Sequence, residues 1–256
     1  MDEWHNILPC LQNKQLVWWA QCGSLHHAIA ARYIQHAQWK KLGLRKCAEF
    51  GNLKGVRYLV KVCKADVHAE SALRWASEFG HLKVVKYLVL ECGVDVHAWH
   101  EDALRWASTF GHLQVVKYFV EEGGADVDAI GRYDSSALCE ACEYGHFDVV
   151  RYLVEKGGAD VHADDERALR FASMYGHLEV VRYLVETGGA DVHADDERAL
   201  RWASVNDHLE VVRYLVETGK ADVHAFGGWA LRWASENSQL QVVEYLKSRG
   251  AFLAMQ

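Results

Sequence analysis

Two identical stretches of the chain place a histidine beside three acidic residues. The sequence ADVHADDERALR runs from Ala159 to Arg170 and again from Ala190 to Arg201. Imidazole and carboxylate groups can bind metals or transfer protons, but a zinc site favours Cys and His at fixed spacings that are absent here. An Asp just before a helix can instead accept its free N–H groups and suits its dipole. We therefore expect these acids to cap a helix, and we predict no metal, cofactor or catalytic residue.

A second series of histidines follows glycine, or Asp in one case, about once every 31 to 34 residues. Its members are His81, His112, His146, His177 and His208. If the segments stack as packed helices do, neighbouring histidines lie roughly 10 Å apart, too far to share one ion. We expect these side chains to make structural hydrogen bonds.

Cysteine usage suggests neither a zinc site nor a secreted protein. Cys139 and Cys142 form a C-x-x-C pair, but no second pair completes a zinc site and no βαβ pattern suggests redox chemistry. We predict that both are small core residues. Seven cysteines are an odd number, so at least one lies outside any intrachain disulfide, and an intracellular, cytoplasmic location is expected.

Composition narrows the classes of partner. The chain has 28 basic and 35 acidic residues in 256, a net charge of −7, which argues against a nucleic-acid binder and favours neutral or basic partners. No apolar run approaches 18 residues and the N terminus lacks a signal-peptide pattern, so no membrane association is expected. Since no phosphate loop or G-x-S-x-G motif occurs, we predict a protein that is not an enzyme.

The organising feature of the sequence is an internal repeat. A leucine, followed nine residues later by Leu or Phe, recurs with spacings of 28 to 34 residues at positions Leu16, Leu44, Leu73, Leu104, Leu138, Leu169, Leu200 and Leu231. The unit from Ala72 to Ala98 contains one apolar helical pattern that stops at Gly80 and a second from Leu82 to about Gly93. Helices this short cannot bury their apolar faces alone, so we predict an all-α repeat solenoid.

The residues of this repeat resemble a known family. GHLEVVRYLVETGGADVHA is similar to the second half of an ankyrin repeat, and ALRWAS stands where that family has T-P-L-H-x-A-A. The resemblance recurs in phase seven times from Leu44 to Gly250. It implies helix-turn-helix units that act as a non-enzymatic protein-binding scaffold.

The chain departs from the family pattern in two ways. Arginine replaces the histidine of T-P-L-H, so its hydrogen bonds to nearby carbonyls or acids must stabilise the first helix. These residues are Arg74, Arg105, Arg170, Arg201 and Arg232. Most hairpin fingers are also shortened, and only Ala125 to Leu138 retains the full length.

The resemblance also predicts where a partner protein binds. In the family, the two residues before G-H face the concave groove, and in this chain they include five aromatic residues in register. The predicted contacts are Phe50, Glu78, Phe79, Thr109, Phe110, Glu143, Tyr144, Met174, Tyr175, Val205 and Asn206, with Arg132 and Tyr133 in the full-length finger. The alternative is that each ring folds over its own turn and packs against the next repeat.

One further aromatic series occupies a constant repeat position. It consists of Trp75, Trp106, Phe171, Trp202 and Trp233. A constant phase favours packing between repeats. Partial exposure beside the preceding arginine, with a cation–π contact, is the alternative.

The chain ends fit the repeat less well, so we predict an N-terminal helical cap at 1–42, an array at 43–250 and a tail at 251–256. The alternative for residues 1–42 is an F-box, because ILPCLQNKQLV resembles its core. The protein would then be an adaptor that binds a ubiquitin-ligase linker protein. The style of the repeats also resembles ankyrin proteins of giant DNA viruses of protists, which would place a monomeric viral protein among host proteins in the host cytoplasm.

Overall fold

A computed structural model describes residues 37–67, 72–131 and 134–252, with side chains from residue 43 onward. All regular structure in these ranges is helical, and no strand occurs in them. The predicted all-α repeat fold is therefore confirmed for the described part of the chain. The chain divides after Asp126 into two compact units.

The described part of the first unit contains three helix pairs, and in each pair a first helix is followed by a second. Its helices are α1 Ala37–Glu49, α2 Leu53–Lys61, α3 Ala72–Glu78, α4 Leu82–Lys86 with a π-helical continuation Tyr87–Glu91, α5 Ala98–Thr109 and α6 Leu113–Glu121. The first helices α1, α3 and α5 pack side by side, and the second helices α2, α4 and α6 form a parallel layer.

The second unit continues the pattern with four pairs. Its helices are α7 Ala137–Glu143, α8 Phe147–Tyr152 with a π-helical continuation Leu153–Gly157, α9 Ala163–Met174, α10 Leu178–Glu186, α11 Ala194–Val205, α12 Leu209–Glu217, α13 Ala225–Glu236 and α14 Leu240–Ser248. The first helices α7, α9, α11 and α13 again form one layer.

The core lies between the two helix layers of each unit. The repeat leucines from Leu44 to Leu231 are at most 5% exposed, which confirms them as anchors, and the paired valines of the second helices lie opposite them. Cys139 and Cys142 are also buried, as predicted, and burial raises the pKa of both thiols. Neither is in a disulfide.

Within each unit, the histidines of the glycine-histidine turns bond their helix pair to the preceding one. His112 Nε2 donates to the carbonyl oxygen of Glu78 over 2.8 Å, and His208 Nε2 donates to that of Met174 over 2.9 Å. His81 Nε2 and His177 Nε2 likewise donate to carbonyl oxygens of the preceding repeat, those of Glu49 and Glu143. The predicted structural role is thus confirmed for four of the five histidines.

Each of these rings packs against a glycine of the preceding turn. A Cβ atom at Gly176, which has φ +77°, would lie 2.4 Å from His208 Nδ1. In the next turn Asp207 takes the glycine's place with φ 63°, and the ring that would meet it is replaced by Gln239. Gln239 Nε2 still donates to the preceding repeat, at Val205 O, over 3.1 Å. The Gln239 amide is narrower than an imidazole, so it can make this hydrogen bond although the Asp207 side chain occupies part of the space.

We predict that Gly176→Ala destabilises the protein more than Gly189→Ala. Both glycines have positive φ, which costs an L-residue about 1–2 kcal/mol, but a Cβ at Gly189 meets nothing within 4 Å. The clash with His208 should add about 1–3 kcal/mol. Urea unfolding followed by circular dichroism measures the difference.

Combining Gly176→Ala with His208→Gln should recover most of that added cost, because this pair reproduces the arrangement at Asp207 and Gln239. Equal destabilisation by the two glycine variants would contradict the packing role of the imidazole.

Candidate functional site

The duplicated stretch forms a left-handed turn rather than a helix cap. Asp164, Asp165 and Glu166 have φ values of 51°, 51° and 60°, and the second copy repeats them. No side-chain hydrogen bond caps the helix at His162 or His193. The capping prediction is therefore wrong: three residues in the left-handed region bring the chain into the helix, and short polar Asp tolerates that region better than most residues do.

The glutamate of this turn links neighbouring repeats. Glu166 is 5% exposed, and its Oε1 lies 2.6 Å from His162 Nδ1. The equivalent Glu101 and Glu197 also accept the backbone N–H of Asp126 and Asp222, one repeat further on, over 3.2 and 3.0 Å. One buried carboxylate thus bonds its own histidine and the backbone of the next repeat.

This arrangement changes at the last described repeat. Gly228 stands where the other turns have glutamate, and Phe252 stands where they have the following Asp. A Cβ at Gly228 would lie 2.4 Å from the carbonyl oxygen of Phe252, so the backbone itself fills the space. His224 consequently lacks the carboxylate partner of the other turn histidines.

The arginines of the first helices hold the same turns from the other side. Arg105 donates to the carbonyl oxygens of Trp99 and His100 over 3.3 and 3.2 Å. Arg170 and Arg201 donate to Asp164 O and Asp195 O over 2.8 and 2.6 Å. The expectation that arginine replaces the missing hydrogen bonds is confirmed for these three residues.

Some of these arginines also reach the neighbouring repeat. Arg170 donates to Asp195 Oδ2 over 3.1 Å, and Arg74 Nε lies 4.0 Å from Asp102 Oδ2. The guanidinium of Arg74 stacks 4.1 Å from the Trp106 ring, and that of Arg45 stacks 3.8 Å from Trp75. The constant tryptophan position is half-buried, so packing between repeats and a cation–π contact occur together.

The five predicted aromatic contacts are exposed. Their exposed fractions run from 43% to 57% for Phe50, Phe79, Phe110, Tyr144 and Tyr175. In the first unit Phe79 stacks on Trp75 with ring centroids 6.4 Å apart, and Phe110 stacks on Trp106 at 5.9 Å. Each phenylalanine therefore packs on its own helix with one part of its ring and leaves the other part in solvent.

The second unit presents tyrosine at two of these positions and asparagine at the next two. Asn206 and Asn237 are exposed, and their Nδ2 atoms donate to Trp202 O and Trp233 O over 2.9 Å. An asparagine at this position thus satisfies the end of its own helix. The backbone hardly changes, because Tyr175 and Asn206 have φ values of −103° and −97°.

The polar neighbours of the rings are less accessible. Glu78 and Glu143 are half-buried, and burial raises the pKa of both carboxyls. Two smaller effects partly offset this rise in pKa: the positive charge of Arg74 acts on Glu78, and a hydrogen bond with Tyr175 acts on Glu143. Thr109 is 9% exposed, and its hydroxyl donates to Arg105 O over 2.9 Å.

The remaining predicted contacts divide between half-buried and undescribed residues. Met174 and Val205 are half-buried on the exposed side of α9 and α11. Arg132 and Tyr133 lie outside the described residues. The neighbouring finger closes through a bond from Gly131 N to Ser135 O of 3.2 Å, and Ile130 is 56% exposed.

Sequence reasoning missed an aromatic cluster in the last repeat. Phe226, Trp229 and Trp233 surround the Arg201 guanidinium at 5.5 to 5.8 Å from each ring centroid, and Phe226 is 52% exposed. The available signal was the replacement of Asp195 and Arg198 by aromatic residues at the equivalent positions.

Two further properties of the described residues bear on function. No group of three or more His, Cys, Asp or Glu side chains in the described ranges is arranged to hold a metal ion. Within the same ranges, every helix is too short or too polar to cross a membrane.

Comparison with known proteins gives one match. A family model described as ankyrin repeats (3 copies) matches residues 16–99, 90–165 and 169–256. Together these segments span most of the chain. No curated protein matches the sequence at a significant level.

We predict that the turn histidines make stability depend on pH. The hydrogen bond with glutamate raises the pKa of His97, His162 and His193 above the ordinary value of 6.5. A raised pKa adds stability below the unfolded pKa, and this is lost as pH rises through the folded value. The denaturant concentration at the unfolding midpoint should therefore decrease as the pH is raised above about 6.5 at constant ionic strength. The decrease should be small because the imidazoles are exposed.

The variant His162→Gln/His193→Gln should reduce this dependence. His224→Gln is the matched control, because His224 occupies the same repeat position and has Gly228 in place of the glutamate. If the control flattens the pH profile as much as the double variant, the histidine-glutamate pairs are not its source.

Proposed function

Since the chain belongs to the ankyrin-repeat family, we propose that it is a scaffold that binds a partner protein through the exposed ends of its first helices. Repeats of this family generally mediate protein–protein interaction, and the family is typically non-enzymatic. The proposed contacts are Phe50, Phe79 and Phe110 on the first unit and, on the second unit by itself, Tyr144 and Tyr175.

The observation that carries the proposal is the exposure of large rings at one constant position. A single exposed apolar side chain is normal on a protein surface, but the same position is aromatic and 43–57% exposed in five successive repeats. Phenylalanine and tyrosine give large contact area at low cost in conformational entropy, as at many protein interfaces.

Variation between two repeats supports the same surface. The segments Ala159 to Gly189 and Ala190 to Lys220 differ at five positions, and three of these are consecutive, at residues 174–176 and 205–207. The helix bounds and turn geometry of the two segments agree. The change from Gly176 to Asp207 accompanies the change from His208 to Gln239, but the changes at 174/205 and 175/206 occur where the backbone does not require them.

Other predicted contacts contribute unequally to this proposal. Thr109 is buried, so its side chain adds support to the helix end rather than contact area. Glu78, Glu143, Met174 and Val205 present only part of their surface. Arg132 and Tyr133 remain contacts proposed from the sequence, beside the exposed Ile130.

We predict that Tyr144→Asn/Tyr175→Asn weakens capture of the partner at least tenfold while the protein still folds. Asparagine is native to this position in the next two repeats, and aromatic residues at interfaces commonly account for 1 kcal/mol or more each. The measurement is an affinity capture from cells of the natural source, with bound proteins quantified by mass spectrometry. Phe79→Asn/Phe110→Asn tests the first unit in the same way.

Leu240→Asn is the matched control, because Leu240 is 73% exposed but lies at the start of a second helix. A partner whose capture survives all the aromatic replacements, or falls equally with Leu240→Asn, would contradict the proposed surface.

The alternative function is a substrate adaptor that also binds a ubiquitin-ligase linker protein through residues 1–42. Its motif, residues 7–17, lies outside the described residues, and the family match begins at residue 16. Action of a giant-virus protein on host proteins is a further proposal that rests on sequence style alone. Binding of the linker protein by the intact chain, and its loss when residues 1–15 are removed, would distinguish the adaptor from a plain scaffold.

A further inference from the structure

Charge differs sharply between the two units. Residues 1–126 contain 13 acidic and 15 basic side chains, whereas residues 127–256 contain 22 acidic and 13 basic ones. The second unit therefore carries a net charge of −9 and accounts for the acidity of the whole chain. Such a field attracts basic partners and repels acidic ones.

The acids of the second unit include exposed residues at the start of its first helices. The side chains of Asp165 and Asp196 are exposed and take part in none of the hydrogen bonds or ion pairs of the described residues, although Asp196 attracts the Arg201 guanidinium at longer range. The nearby cations are already engaged: Arg167 pairs with Asp164 at 2.8 Å, and Arg170 with Asp195 at 3.1 Å. The negative charge at this end of the layer is therefore only partly balanced.

The two exposed tyrosines lie at the C-terminal ends of α7 and α9, and Tyr175 shares α9 with Asp165. Glu143 lies beside the tyrosines and shares a hydrogen bond with Tyr175, and the Glu140 carboxylate is close enough to raise the pKa of Glu143 further. An aromatic face next to a carboxylate is a favourable seat for a cation.

The molecule already places its own cations on aromatic rings, at the position of the tyrosines in one repeat and at other positions in others. Lys46 Nζ lies 5.5 Å from the Phe50 centroid, and Arg45 and Arg74 stack on tryptophans of the next repeat. In the last repeat Arg201 lies among three rings. No cation of the described residues stacks on Tyr144 or Tyr175, so both rings are open to one from a partner.

The distance between the acidic turn and Tyr175 determines how long a bound peptide segment must be. Arg167, Arg170, Phe171 and Met174 form a partly exposed stripe along α9 that leads from Asp165 to Tyr175. Tyr175 follows Asp165 by ten positions, and a helix of that length covers about 15 Å, which an extended peptide spans in about four to five residues. Basic side chains about four residues apart could therefore reach the tyrosines and the acidic turn together.

We propose that the first-helix face of the second unit recognises a basic segment of the partner protein, with an arginine or lysine seated on Tyr144 and Tyr175 beside Glu143 and a second basic residue at the acidic turns. This inference rests on the proposed protein-binding function and names the chemistry of the segment bound.

The test uses the full chain and three fluorescein-labelled peptides of twelve residues. One carries arginine at every fourth position among alanine and serine, and the others carry glutamine or glutamate in place of arginine. Anisotropy titrations at low and moderate salt give Kd. The arginine peptide should bind, and its affinity should be higher at low salt. The glutamine and glutamate peptides should bind at least tenfold more weakly.

Three variants locate the site. Tyr144→Asn/Tyr175→Asn, Glu143→Gln and Asp165→Asn/Asp196→Asn should each weaken binding of the arginine peptide about three- to tenfold. The matched control is Glu179→Gln/Glu210→Gln, which removes two charges from the same two repeats but on exposed positions of the second helices. The control should change Kd less than twofold at moderate salt.

The outcomes separate this inference from the function on which it rests. Equal weakening by the control and the three variants would show a general charge effect and overturn the proposed seat, as would equal binding of the glutamine peptide. If no peptide binds but capture of a cellular partner still depends on the tyrosines, the basic-segment inference fails and the protein-binding function stands. Loss of both would overturn both.

Discussion

The fold depends on bonds that each repeat makes with the next, because no repeat can bury its own apolar faces. The described first and second helices have 5 to 13 residues, a length at which isolated helices are marginal in water. Stacking buries the anchor leucines and the paired valines. Directional links then fix the register: a turn histidine or glutamine bonds the preceding repeat, and a buried glutamate bonds the following one. The exposed aromatic residues are positioned by these same links, since they occupy the ends of the linked helices.

The two link types respond differently to substitution. The histidine link requires a glycine one repeat earlier, and where Asp207 replaces that glycine the ring becomes Gln239. The glutamate link requires a backbone N–H at its partner position and a left-handed approach to the helix. Where Gly228 replaces the glutamate, the carbonyl oxygen of Phe252 occupies the space that a side chain would need. Each change is matched across the repeat boundary, which indicates that packing between neighbours, rather than helix propensity, selects these residues.

The sequence predicted the parts of the structure that follow from periodicity. Spacing of the leucines gave the helix pairs, and the constant phase of His81 and its equivalents gave their structural role. The left-handed turn was missed because Asp-Asp-Glu before an apolar run is also typical of an ordinary helix start. Two signals were present: Gly227-Gly228 in the equivalent turn suits positive φ, and His162 precedes Glu166 by four residues. Both signals can be interpreted only together with the neighbouring repeat, and a local sequence pattern does not include that repeat.

Exposure of the rings also lay beyond the sequence, because the same aromatic residue could pack on the next repeat or remain in solvent. The deciding factor is the histidine link. At Gly51, Gly80, Gly145 and Gly176, the imidazole of the next repeat lies 2.4 to 2.5 Å from where a Cβ atom would be, so the preceding ring cannot fold into that space. The ring stays on its own helix end, half in solvent, and its identity is free to change. Phenylalanine on tryptophan in the first unit and tyrosine beside glutamate in the second are two results of that freedom. The two units therefore present different chemistry, apolar rings in the first and rings beside an excess of negative charge in the second.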